Sequence, residues 1–103
     1  MTRAIEMTIL GFMMLDNSID SNLLNEDLFL GDKNRLAFQT IREMKEMGEV
    51  ADLTTVSSRL EGKVDYSHLS DMFDGIGKSP FNESYFKNYV NLLIRKKKVH
   101  ILD

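Results

Sequence analysis

Apolar residues recur at intervals of three and four positions through most of the chain, which is the spacing of one face of an α-helix. The first segment shows this clearly, with a common face formed by Ile5, Ile9, Phe12 and Met13. Leu10 and Met14 widen the apolar stripe. We therefore expect the first helix to be buried on more than one side and to lie at the centre of the fold.

The next two helices are marked by polar start and stop residues. Residues 16–18 offer capping side chains for a short second helix, Ile19 to Leu24. Residues 25–33 then predict a loop held against the core by Leu28, Phe29 and Leu30. A third helix begins near Asp32 and ends at Gly48, because glycine readily adopts the left-handed conformation after a helix. Its core face consists of Ala37, Phe38, Ile41 and Met44.

Three further helices complete the pattern. Asp52 or Thr54 can cap a fourth helix, which Gly62 ends. The inward positions of the fourth and fifth helices are Leu53, Val56, Leu60, Leu69, Met72 and Phe73. After a break at residues 75–80, Asn82 caps a long last helix. Its stripe consists of Phe86, Tyr89, Val90 and Leu93. The sequence thus predicts an all-α fold, a single globular bundle of about six helices.

Length and composition are those of one domain, residues 1–103. Of these 103 residues 43% are apolar, enough to close one hydrophobic core at this size. The absence of cysteine excludes disulfides and thiolate metal sites and fits a reducing compartment. The longest apolar run, residues 9–15, is too short to cross a bilayer. We expect a soluble, cytoplasmic protein without a membrane partner.

The charge is uneven along the chain. The net charge is −3, but four consecutive cations stand near the C-terminus: Arg95, Lys96, Lys97 and Lys98. They either complement the dipole at the end of the last helix or form an edge that contacts a partner. Four cations without interleaved aromatic residues make a weak nucleic-acid signature. No stop signal precedes Asp103, so we expect a helix that continues in a longer protein or packs on a partner.

One short segment is similar to part of a phosphate-binding loop. Gly77, Lys78 and Ser79 match the end of that motif. However, Met72 stands where the motif needs its first glycine, and Pro80 disfavours a helix starting through Ser79. An ordinary loop between helices is the better interpretation.

No other residues indicate catalysis or metal binding. His68 and His100 are far apart and have no partner at the spacing of a metal site. Ser57 and Ser58 stand beside no identifiable base. The seven methionines at helical spacing indicate adaptable core rather than a binding groove. The sequence predicts no catalytic residue, no cofactor, no metal and no small-molecule ligand.

Four ordered motifs resemble the N-terminal domain of the DnaB-type replicative helicases of bacteria and phages. The first runs from Glu6 through an apolar stretch with Leu-Gly to Asp16. The second resembles the family's Glu-Asp-Phe-Tyr and His-Arg-x-Ile-Phe; it comprises residues 26–29 and 34–38. The third, residues 48–56 with Leu60, is similar to Gly-x-Pro-Ile-Asp-Leu-x-Thr-Val. The fourth consists of Asn82, Phe86, Val90, Lys97 and Lys98.

The resemblance implies a module without catalytic activity. In this family a RecA-like C-terminal domain hydrolyses ATP and moves along DNA, and this chain has no such domain. The N-terminal domain forms a collar on the hexamer, docks primase and communicates with loading factors. Partners would therefore be primase or a helicase loader, and other subunits of the full-length helicase. Contact with DNA would be weak or absent. The basic edge at residues 95–98 is the candidate partner-binding site.

Two departures from the family pattern indicate a divergent member, such as one from a phage. Residues 63–68 replace a glycine-rich segment, and Val50 stands where proline is usual. One alternative is a free-standing protein of the same fold that binds or inhibits a replication protein. Another is a small nucleic-acid-binding protein or enzyme.

Overall fold

The computed structural model describes residues 2–16, 24–74 and 83–102, with side chains at 4–16, 24–74 and 86–95. These residues form five α-helices and one 3-10 turn, and the described ranges contain no strand. The elements are α1 (Thr2–Leu15), the 3-10 turn (Glu26–Leu28), α2 (Asp32–Glu46), α3 (Leu53–Arg59), α4 (Tyr66–Asp71) and α5 (Glu83–Leu102). The predicted all-α fold is confirmed.

Helix α1 is central, as its wide apolar stripe predicts. It packs against both α2 and α5. Its buried apolar side chains are Ile9, Leu10, Phe12, Met13 and Met14. Phe12 meets the edge of Phe86 and the tilted ring of Tyr89, each with ring centroids 6.3 Å apart. These contacts, with buried Val90 and Leu93, hold the first half of α5 against α1.

The segment before α2 contributes two of its three predicted core residues. Leu28 and Phe29 are buried, and Phe29 stacks on Phe38 of α2 with ring centroids 4.8 Å apart. The prediction for Leu30 is wrong, because 47% of its surface is exposed. Phe29 has an extended backbone, in which successive side chains point in opposite directions, so Leu30 points outward when Phe29 points inward.

Predicted caps close α2 and α3. Gly48 has φ 76°, the Gly48 amide donates to the Lys45 carbonyl and the Glu49 amide donates to the Met44 carbonyl, which together form a Schellman motif. At the start of α3, Asp52 rather than Thr54 is the N-cap. Its carboxylate accepts from the Thr55 amide, and the Thr55 hydroxyl accepts from the Asp52 amide.

Several predicted features lie outside the described residues. They are most of the second helix at 19–24, the loop at 75–80 with its Gly-Lys-Ser segment, and the cap Asn82. Leu24 is described and is buried. In the described part of the chain, no helix has both the length and the apolar character needed to cross a membrane.

Candidate interaction surface

Helix α5 has one packed face and one open face. Phe86, Val90 and Leu93 are buried against the rest of the domain. The opposite side is exposed and carries Lys87, Asn88, Asn91, Leu92 and Arg95. Leu92 is 39% exposed, and the polar residues on either side of it keep this surface mixed rather than apolar. The described part of α5 therefore has one face packed on the domain and one face exposed.

The predicted basic edge follows this part of α5 along the chain. Arg95 is exposed on α5. Lys96, Lys97 and Lys98 belong to the same helix, and their side chains lie outside the described residues. The apolar stripe of α5 reaches Ile94, which is partly buried against the core. The sequence changes from apolar to cationic at the next residue.

A cleft of about 500 Å³ opens beside the start of α2. Its lining comes from α1, from α2 with the residues before it, and from α4. The lining residues are Glu6, Leu30, Gly31, Asp32, Lys33, Asn34 and His68. This cleft thus combines an exposed leucine with several polar side chains.

A buried carboxylate lies at the base of this cleft. Glu6 of α1 is only 1% exposed. One carboxylate oxygen accepts from the Leu30 amide at 2.9 Å, and the other accepts from the Asn34 side-chain amide at 3.0 Å. A longer contact of 3.4 Å joins the second oxygen to the Gly31 amide. These donors satisfy the carboxylate where water does not reach it.

The polar contacts extend from Glu6 to a third helix. The Asn34 side-chain oxygen lies 2.8 Å from Nε2 of His68 on α4. In the part of the chain described here, every buried side-chain nitrogen or oxygen has a partner. We call the connected groups Glu6, Asn34 and His68 the polar relay. It joins α1, α2 and α4 at one point.

The other candidate residues line a second cleft, in which carboxylates but no histidine or lysine accompany the serines. Ser57 and Ser58 line a second cleft of about 480 Å³ between α3 and α4, with Glu61, Asp65 and Tyr66. No hydrogen bond joins either serine to these carboxylates among the contacts of the described residues. Among the residues that the structure describes, no three His, Asp or Glu side chains come close enough to hold a metal ion.

Sequence reasoning did not find the polar relay. Glu6 entered only as the acidic first residue of a motif, and His68 only as a candidate metal ligand. One signal was available, because Glu6, Leu10 and Met13 are spaced four and three residues apart on the same broad apolar stripe. An acidic residue on such a stripe is buried with it and then needs hydrogen-bond donors.

Comparison with known families gives one match. The model described as "DnaB-like helicase N terminal domain" matches residues 2–95. A search of curated proteins and a search of solved structures each found no match. The matched range contains α1 to α4 and most of α5.

Proposed function

The chain belongs to the DnaB-like helicase N-terminal domain family, and on this premise we propose that it is a non-catalytic collar domain of a replicative DNA helicase. In this role it supports hexamer assembly and docks primase or a helicase loader during DNA replication in the cytoplasm. The family match is the observation that carries the proposal, because it covers nearly every element of the fold.

The open face and basic end of α5 are the surface that we assign to docking. The inner face of α5 is occupied by its contacts with α1. Helix α5 carries four consecutive cations near its C-terminal end, at residues 95–98, on a chain whose net charge is −3. Such a cationic edge favours a partner with an acidic surface, since complementary charge speeds encounter and fixes orientation.

The competing role for these cations is to complement the dipole of α5. The two roles predict different measurements. Loss of a dipole interaction lowers the stability of the domain by a few tenths of a kcal/mol up to about 1 kcal/mol. Loss of a docking contact leaves the fold intact and weakens partner binding.

The test compares two double charge reversals in the natural gene product. One carries Lys96→Glu and Lys97→Glu, and its matched control carries Lys33→Glu and Lys63→Glu. Both Lys33 and Lys63 are exposed, and both variants change the net charge equally. Affinity for the primase and the loader encoded by the same genome is measured by calorimetry at two salt concentrations, with helix content checked by circular dichroism.

The docking role predicts that the first variant binds about tenfold more weakly, which corresponds to about 1.4 kcal/mol. The affinity of this variant for its partner should also depend less on salt concentration. The control should bind as the unmodified protein does. Equal affinities of all three proteins for both partners would contradict the assignment.

Two simpler measurements examine the rest of the proposal. Residues 1–103 alone should hydrolyse no ATP, with or without single-stranded DNA. An immunoblot of the source cells or infected culture should show a product several times larger than this chain. A product of the same size as the chain would instead favour a free-standing protein that binds a replication protein.

A further inference from the structure

The polar relay fixes which nitrogen of His68 carries a proton. The Glu6 carboxylate accepts from every group that it contacts, so the Asn34 side-chain nitrogen faces Glu6 and its oxygen faces His68. An amide oxygen can only accept a hydrogen bond. Nε2 of His68 is therefore the donor. Neutral His68 is the Nε2–H tautomer, and the proton gained on acidification is carried by Nδ1.

The contact between His68 and Asn34 consequently survives a change of charge. In the neutral and the protonated ring alike, Nε2 carries a hydrogen that the Asn34 oxygen can accept. Protonation makes this bond charge-assisted and stronger. A histidine that accepted at Nε2 would instead lose its hydrogen bond when protonated.

Most of the charged residues in this cleft and beside His68 in the sequence are carboxylates. Glu6 lies one amide away, is buried, and has no cation within ion-pair distance among the described residues. Asp65, the N-cap of α4, and Asp71, its last residue, stand three residues before and after His68, the spacing of neighbours on a helix. Asp32 lines the same cleft, and Lys33 is the one described cation there. Among these residues carboxylates outnumber cations, and a positive charge on His68 would balance them in part.

We propose that His68 is a proton-sensitive link between α2 and α4. Protonation at Nδ1 strengthens the bond from Nε2 to Asn34 and supplies a counter-charge to the buried Glu6 carboxylate. Mild acidification therefore tightens the contact between α4 and α2 beside the cleft. The native state takes up this proton more readily than the unfolded chain, so the gain is present below about pH 6.5, the ordinary value for histidine, and is lost as the pH rises further.

The first test is the ring-nitrogen NMR spectrum of the chain labelled with ¹⁵N-histidine. Above pH 7, His68 should show a protonated, pyrrole-type Nε2 and a pyridine-type Nδ1. In a pH titration, the Glu6→Gln variant should move the His68 midpoint to lower pH, whereas Glu61→Gln, at an exposed carboxylate outside this cleft, should not. An Nδ1–H tautomer in the unmodified chain would overturn the proposal without need of any variant.

The second test separates His68 from other titrating groups. In His68→Gln the side-chain amide can still donate to Asn34 but cannot gain a charge. Urea unfolding from about pH 5 to about pH 8 should show that the folded-to-unfolded ratio rises on acidification more in the unmodified chain than in this variant. His100 and the carboxylates are common to both proteins. Identical pH dependence in the two would refute the link.

Discussion

The two ends of α2 are held in place in different ways. The C-terminal end is closed locally, by Gly48 and by amide-to-carbonyl bonds that lie entirely within residues 44–49. The N-terminal end begins at Gly31, which has no side chain to cap the helix. There the carboxylate of Glu6, 25 positions earlier, accepts from the Gly31 amide and also binds Leu30 and Asn34. One end depends on its own sequence, the other on a different helix.

This difference has consequences for how the helix is stabilised. A Schellman motif can form as soon as the last turn of α2 forms, because all of its atoms are within that turn. The Glu6 contacts require α1 to be packed against α2 first. The N-terminal end of α2 is therefore coupled to the tertiary structure, and its stability reports on the α1–α2 interface.

The largest effect is expected in the body of α2, between its two ends. Ile41→Ala removes a side chain that is completely buried against the core. We expect a loss of about 2–5 kcal/mol in the free energy of unfolding, because a cavity replaces apolar contacts. Urea unfolding measures this loss. Glu43→Ala on the exposed face of the same helix serves as the control and should change stability by under about 0.5 kcal/mol. Equal losses in the two variants would show that this face is not buried.

The next prediction concerns the contacts by which Glu6 of α1 holds the N-terminal end of α2. Glu6→Gln keeps the shape but replaces one acceptor oxygen by a donor, so it leaves the Leu30 amide or the Asn34 side chain without an acceptor. We expect a loss of about 1–3 kcal/mol in the free energy of unfolding. Amide hydrogen exchange at Leu30 and Gly31 should accelerate more than exchange at Gly48 and Glu49. Equal acceleration of amide exchange at both ends of α2 would contradict the view that the two ends are held independently.

The same contrast explains how much the sequence could predict. Helix bodies and local caps were predictable, because the periodicity around Ile41 and the caps at Gly48 and Asp52 involve residues only a few positions apart. The packing of Phe86 and Leu93 followed from their periodicity. The polar relay joins positions 6, 34 and 68, and no local pattern pairs residues that far apart. The exposure of Leu30 was missed because the chain is extended at Phe29, just before α2 begins. The apolar spacing of the sequence does not show this change of backbone conformation.

A smaller effect compares a glycine at each end of α2. Gly48 has φ 76°, and a Cβ at this position would meet nothing within 4 Å. Gly48→Ala therefore isolates backbone strain, which we expect to lower stability by about 1–2 kcal/mol. Gly31→Ala is the matched control, because its φ is −79° and its Cβ would make ordinary contacts at 3.6 Å. Alanine there should be neutral or stabilising by up to about 1 kcal/mol.

Thermal unfolding of both glycine variants measures this difference. The expected order of melting temperatures is Gly31→Ala, at or above the unmodified chain, followed by Gly48→Ala. The reverse order would mean that the N-terminal end, rather than Gly48, requires a glycine backbone.

The smallest effect concerns α3, whose start is closed locally by a carboxylate. Two hydrogen bonds lower the pKa of Asp52 below its ordinary value. The bond from the Thr55 amide has the larger effect, and the bond from the Thr55 hydroxyl has the smaller one. A lowered folded-state pKa means that ionised Asp52 contributes stability above about pH 4, and that this contribution is lost as the pH falls through the lowered value.

Asn also caps helices well but does not titrate. The unmodified chain should therefore gain stability relative to Asp52→Asn as the pH rises from about 3 to about 6, measured by urea unfolding. Thr55→Ser keeps both donors and should keep this pH profile. If Asp52→Asn kept it too, the acid sensitivity would come from other carboxylates, and the cap of α3 would act through its geometry alone.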